Sequence, residues 1–258
     1  LICIASVLIL VKLIANRMKI SSKMSYLIAI GTSVCGATAI VATAPVVQAR
    51  KTEVAYAIAN ITLFGILAML LYPYFANYYF ENDPIFTGIF LGTSIHETSQ
   101  VAAAGLIYDQ QFNSPETLDV ATVTKLIRNT FLVILIPLFA LLYNRGQNHG
   151  SKYSLSGIFP IFVIGFIGMI FLRNIGDQVF LSNGDSTKQW IFFIDVIQIL
   201  ATTFLTMAMA AVGLSINLSE LRDMGYKPFV VGFISAVTVG IVCIISIHIL
   251  NTYFNFFN

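Results

Sequence analysis

His96 and Glu97 stand side by side in GTSIHETSQV, residues 92–101, and Gln100 follows about one helical turn later. The run around them is apolar, and an ionisable group held at membrane depth is costly enough to mark a functional position. The pair is expected to carry or gate a proton. The plainer alternative is that both side chains hydrogen-bond to neighbours and hold a turn. HETSQ also approaches the HExxH of zinc hydrolases, but position 100 is Gln and the second imidazole is missing. The other histidines, His149 and His248, fall near expected membrane surfaces. No metal or cofactor is expected. No nucleophile with a placed base and third partner accompanies His96 and Glu97, so the chain is not expected to be an enzyme.

Lys125 and Arg128, in TVTKLIRNTF, are three apart and so share a helix face, with Asn129 beside them. Lys125 is read as snorkelling to the external end of its helix. Arg128, a turn deeper, either pairs with Glu97 or offers its guanidinium fork to an oxyanion. Asp195 and Gln198, in WIFFIDVIQIL, also share a face. Asp195 has three open roles: reaching the surface, pairing with Arg173, or coupling an ion.

The elements that must hold these residues are set by composition. Of the chain's residues, 57% are hydrophobic and 10% charged, against roughly a quarter charged in soluble domains. This describes an all-α, multi-pass membrane bundle, because in hydrocarbon a helix satisfies its own peptide groups. Segments are expected at about 1–15, 25–48, 54–80, 84–108, 118–143, 154–172, 189–216 and 228–250, forming one transmembrane domain over 1–258. A formal net charge of +2 gives no reason to expect a nucleic-acid partner. Cys3, Cys35 and Cys243 lack metal-ligand spacing, and their odd number argues against a disulfide framework. The opening LICIASVLIL carries no Met and reads as the remainder of a longer chain.

Linker charge supplies the topology. Lys12, Arg17, Lys19 and Lys23 precede segment 25–48, and Arg50 and Lys51 follow it, so both of its ends are expected in the cytoplasm. Segment 84–108 is the reverse, with Glu81 and Asp83 before it and Asp109, Glu116 and Asp119 after it, so both of its ends are expected outside. Arg145, Lys152, Arg222 and Lys227 then fall inside. Asp177 and Asp185 fall outside, with Arg173 and Lys188 as exceptions. Segments 25–48 and 84–108 therefore read as re-entrant hairpins or as broken helices.

The two segments share a signature. GTSVCGATAI at 31–40 matches GTSIHETSQV at an offset of 92 − 31 = 61 residues. The offset spans a hairpin and a crossing helix, giving an inverted repeat of 25–85 and 86–146 followed by helices over 154–250. Inverted repeats of interrupted helices place substrate near the midplane. The expected substrate-binding set is Gly31, Thr32, Ser33 and Thr38 on one tip, Gly92, Thr93, Ser94, Ser99 and Gln100 on the other, and Arg128 with Asn129. His96, Glu97 and Asp195 are the expected coupling residues.

Four stretches carry a resemblance: GTSVCGATAIVATAPVV at 31–47, GIFLGTSIHETSQVAAAG at 88–105, VTKLIRN at 123–129 and MAMAAVGLSINLSELRDMGYKP at 207–228. On these the chain resembles the YeiH-type family of bacterial inner-membrane proteins, described by analogy as sulfate exporters. The resemblance implies a bacterial inner-membrane location and a chain lacking its first helices. It also implies a secondary transporter of sulfate or a related sulfur oxyanion. An unpaired Glu97 would repel a dianion, which keeps a Na⁺- or H⁺-coupled carrier of an organic carboxylate or sulfonate as the alternative. The expected partners are a small anion and the lipid bilayer, and a homo-oligomer is left open.

Overall fold

The computed structural model describes residues 1–145, 161–180, 184–214 and 225–254, and every regular element among them is a helix. The chain divides into two units, Leu1–His149 with Asn217–Asn258, and Gly150–Ile216. The first holds α1 (Ile2–Met18), α2 (Ser22–Ser33), α3 (Ala37–Thr43), α4 (Lys51–Tyr79), α5 (Pro84–Ser94), α6 (Thr98–Phe112), α7 (Pro115–Thr130), α8 (Leu132–Arg145) and α11 (Lys227–Phe254). The second holds α9 (Ile161–Phe180) and α10 (Gly184–Leu214).

Local chemistry sets the helix ends. Ser21 Oγ accepts from the Met24 amide and so caps α2. Asp83 accepts from the Ile85 and Phe86 amides at 2.9 and 2.8 Å, with Pro84 at the first position of α5, where its missing N–H is no loss. Buried Glu53 accepts from the Arg50 amide and from Ser21 Oγ, each at 2.9 Å, tying the start of α4 to the start of α2. Lys51–Tyr79, Pro115–Phe139 and Lys227–Thr252 are each long and apolar enough to cross a membrane.

Each of the two interrupted segments folds back on itself as a helical hairpin. Lys23 Nζ donates to Gln48 O at 2.6 Å, so the first hairpin, α2 and α3, returns to the face where it began. Helix α4, about 43 Å long at 1.5 Å per residue, then carries the chain to the opposite face. There Thr117 Oγ1 donates to Pro84 O at 3.4 Å, which sets the start of α5 beside the start of α7. At the other end of α7, Asn129 Nδ2 donates to Thr98 Oγ1 at 3.1 Å, so α6 runs back antiparallel to α7 and leaves by the same face. Tyr108 Oη donates to Asn77 Oδ1 at 2.9 Å, which places that exit beside the far end of α4. Helix α5 lies against α7 closely enough that a Cβ on Gly92 would meet Thr124 Cβ at 2.8 Å and also strike the Ala121 carbonyl.

Behind the second hairpin lies a core of Phe90, Leu91, Ile95, Val101, Ala104 and Tyr108, closed by Ala68 and Ala76 of α4 and Cys243 and Ile247 of α11. Asn60 Nδ2 donates to Pro228 O at 2.9 Å, fixing α11 to α4.

In the second unit α9 reaches Phe180, beyond the expected end at 172. Its polar turn stays helical because Arg173 Nε and Trp190 Nε1 both donate to Asp177, each at 2.8 Å. Residues 154–160, His149, Lys152, Asn217 and Arg222, all named above, lie outside the described residues.

Candidate functional site where the hairpin tips meet

Each hairpin breaks over three residues: Val34, Cys35 and Gly36 in the first, and Ile95, His96 and Glu97 in the second. A break leaves the last carbonyls of the incoming helix without intrahelical donors. Those carbonyls carry the negative end of the helix dipole, which favours cations. Two side chains of α7 supply the missing donors to both tips at once.

Lys125 Nζ donates to Val34 O at 2.8 Å, to Ile95 O at 2.8 Å and to His96 O at 2.5 Å. Arg128 donates through Nε to Ser33 O at 2.7 Å, through Nη2 to Thr32 O at 2.8 Å, and through Nη1 to Thr93 O. The acceptors are repeat-equivalent: 95 − 34 = 61 for the Lys125 pair and 93 − 32 = 61 for the Arg128 pair. The two cations thus sit where the two hairpins bring carbonyls 61 residues apart in sequence to the same side chain.

This corrects two expectations. Lys125 does not snorkel; it is 0% exposed. It lies ten residues past Pro115, about 15 Å into its helix, farther than a lysine stem reaches back. Arg128 does not pair with Glu97; three of its five N–H groups donate to backbone carbonyls instead. Among the described residues the ion pairs are Arg50 with Glu53 and Arg173 with Asp177. Arg173 therefore pairs with Asp177 rather than with Asp195, which lies exposed on α10, in the second unit.

Glu97 reaches across to the other hairpin, where its Oε1 accepts from the Ala37 amide at 3.1 Å. Its repeat partner is Gly36, because 97 − 61 = 36. Gly36 has φ +68°, and a Cβ there would stand 2.6 Å from Glu97 Cγ. One half of the repeat leaves out a side chain where the other half inserts a carboxylate.

His96 is 1% exposed, and its Nδ1 has no hydrogen-bond partner. Gln100 Nε2 donates to Thr62 O of α4 at 3.2 Å, while its Oε1 has no partner and packs over Gly65. The Ser33 and Ser94 hydroxyls, a repeat-equivalent pair, are buried without partners. Thr32 Oγ1 donates back to Ile28 O at 2.8 Å, within its own helix. Gly31 sits against Ile61 of α4.

Thr93 and Asn129 are part-exposed, and Thr38 and Ser99 are exposed on the first turns of α3 and α6. Thr98, which holds Asn129, was not among the expected site residues. Its signal was available as the first helical position after the break.

The electrostatic outcome is lopsided. The C-terminal ends of α2 and α5 are neutralised by Lys125 and Arg128. The first amide of α3 is taken by Glu97. The N-terminal turn of α6, amides 98–100, keeps donors with no intrahelical acceptor, flanked by Ser99, Gln100 and Asn129. Such a turn attracts negative charge. Among the described residues no group of three or more His, Cys, Asp or Glu could hold a metal.

A family profile described as Conserved hypothetical protein 698 matches residues 1–232, which include both breaks and all of α7. A UPF0324 membrane protein of Fusobacterium nucleatum is 34% identical over 255 residues, covering 95% of this chain and 73% of its own length. One from Streptococcus agalactiae serotype V is 36% identical over 226 residues, covering 87% of this chain and 64% of its own length. One from Streptococcus pneumoniae strain R6 is 34% identical over 232 residues, covering 90% and 66% respectively. The chain thus spans about two thirds of the streptococcal relatives and somewhat more of the fusobacterial one. No solved structure matches it significantly.

Proposed function

The chain belongs to the UPF0324 family of membrane proteins (Conserved hypothetical protein 698), which is the YeiH-type family, and from that premise we propose that it is a secondary transporter moving a small anion by alternating access. One observation carries the reading: opposed half-depth hairpins whose equivalent carbonyls converge on the same two buried cations. Irregular backbone at membrane depth is tolerated where it is buried in protein or lines a wet cavity. A pair of such breaks related by an inverted repeat is the usual frame of a transporter site.

The anion would meet the N-terminal turn of α6, with the Thr38 and Ser99 hydroxyls and Asn129 around it. Lys125 and Arg128 would supply positive field from behind without touching it. Glu97, occupying the amide of the opposite hairpin, would move aside as a competing anion. A sulfur oxyanion is the substrate class favoured by this donor set, and no chemical step is assigned to the protein.

Radiolabelled sulfate uptake into proteoliposomes tests the reading, with thiosulfate, an alkyl sulfonate and a dicarboxylate as competitors. Sulfate flux well above that of empty liposomes is expected. Flux indistinguishable from empty liposomes for every one of these anions would remove the proposal, and flux of the dicarboxylate or sulfonate alone would replace its substrate.

A further inference from the structure

We infer that Lys125 is a built-in cation standing where a sodium-driven carrier would hold its ion, and that its amine joins or releases the two hairpins as it gains or loses a proton. The inference rests on the transport reading above and supplies its coupling. In interrupted-helix carriers, unwound carbonyls and helix C-terminal ends are the groups that coordinate a coupling cation. Here the same kinds of group, Val34 O from one hairpin and Ile95 O and His96 O from the other, converge on a lysine nitrogen.

The donor count makes this arrangement switchable. An ammonium has three N–H donors and no acceptor, which matches the three carbonyls one to one. A neutral amine has two donors and a lone pair, so one carbonyl loses its partner and faces negative density instead. The first hairpin contributes a single carbonyl to Lys125, so the joint is weakest there. Arg128 stays charged at any ordinary pH, and it holds its own carbonyls in either state.

The charged and titratable neighbours are few. Arg128 shares α7 with Lys125, and Cys35, Glu97 and His96 lie at the breaks. Helix α5 has no ionisable residue, and α6 has Tyr108 and Asp109 towards its outer end. No carboxylate pairs with Lys125 among the described residues. In the step itself an N–H bond of the ammonium breaks and its electron pair stays on Nζ. The proton leaves to water at the part-exposed side of Glu97. Nothing else is consumed.

The test uses spin labels at Thr38→Cys and Ser99→Cys, exposed and repeat-equivalent (99 − 38 = 61), with the three native cysteines replaced by alanine. Label separations are read in liposomes by pulsed electron–electron resonance between about pH 5 and pH 10, in sodium or choline chloride. With lysine at 125 the distribution shifts with pH and is the same in both salts, while in Lys125→Arg it stays fixed. An immobile distribution with lysine, an identical pH shift with arginine, or a shift caused by sodium would each overturn the inference.

Lys125→Ala supplies an independent arm, because it leaves three carbonyls around a hole. Sodium or methylammonium should restore the low-pH distribution and choline should not; restoration by neither overturns the inference. Anion flux plays no part in this readout. With flux read on the unlabelled protein, a pH-switched distance without flux would remove the carrier reading alone, and flux with an unmoving distance would remove the lysine switch alone.

Discussion

Arg128 and Glu97 invite treatment as a buried ion pair, and the geometry separates them. If they were a pair, removing either would strand the other and cost a similar amount. Instead Arg128 serves Ser33, Thr32 and Thr93 carbonyls, and Glu97 serves the Ala37 amide. Arg128→Met should therefore lose about 3 kcal/mol or more, since each buried acceptor left without a donor costs about 1–3 kcal/mol. Glu97→Gln, whose amide oxygen still accepts from Ala37, should lose under about 1 kcal/mol. Unfolding of both variants in detergent checks the asymmetry; equal losses would restore the pair. The same geometry explains what could be read beforehand. His96, Glu97, Gln100 and Arg128 stood out because their types are rare in an apolar run. The role of Lys125 did not, because its partners are backbone carbonyls and any residue type at 34 or 95 supplies one. Only the depth of Lys125, ten residues from Pro115, pointed inward.

Among the elements, α4 and the two hairpins decide the topology. The offset of 61 placed the two interrupted segments in the sequence, and the structure breaks each of them within its shared signature, at 34–36 and 95–97. The short second limb of the first was harder to see: α3 ends at Thr43 and gives way to turns through Gln48, with Pro45 close behind its last turn. The Arg173 turn was misplaced for a different reason. Its hydrogen bonds from Arg173 and Trp190 to Asp177 keep polar residues helical, and such bonds leave no hydropathy signal. Re-entrance itself makes a sharp prediction about sidedness. Single cysteines at Arg17 and Lys51, exposed before and after the first hairpin, should react with an impermeant maleimide from one face of the membrane. Cysteines at Asn82 and Gln110, exposed on either side of the second hairpin, should react from the other face. If the segments crossed fully, Arg17 and Lys51 would label from opposite faces, and so would Asn82 and Gln110.

For the whole molecule, the carrier proposed above calls for two comparable states, one for each hairpin. Each hairpin presents repeat-equivalent carbonyls to α7, so on the proposed reading neither closure is favoured by one half alone. At the tips the halves differ most plainly where Glu97 is set against Gly36, His96 against Cys35 and Gln100 against Ala39. On the proposed reading a ligand or a proton tips one arrangement into the other, since a ligand shifts an equilibrium only by its differential affinity for the two states. A carrier of this kind should exchange. Proteoliposomes loaded with unlabelled sulfate should take up labelled sulfate to a transient excess over equilibrium, in either orientation of the gradient, because return of the loaded carrier outpaces return of the empty one. A channel through the same two tips would show no overshoot, as its flux follows the gradient of the label alone. Lys125→Met should abolish the overshoot together with net flux, since it leaves Val34, Ile95 and His96 carbonyls without their shared donor. Overshoot at the original rate in that variant would mean that the hairpins move independently of the cation between them.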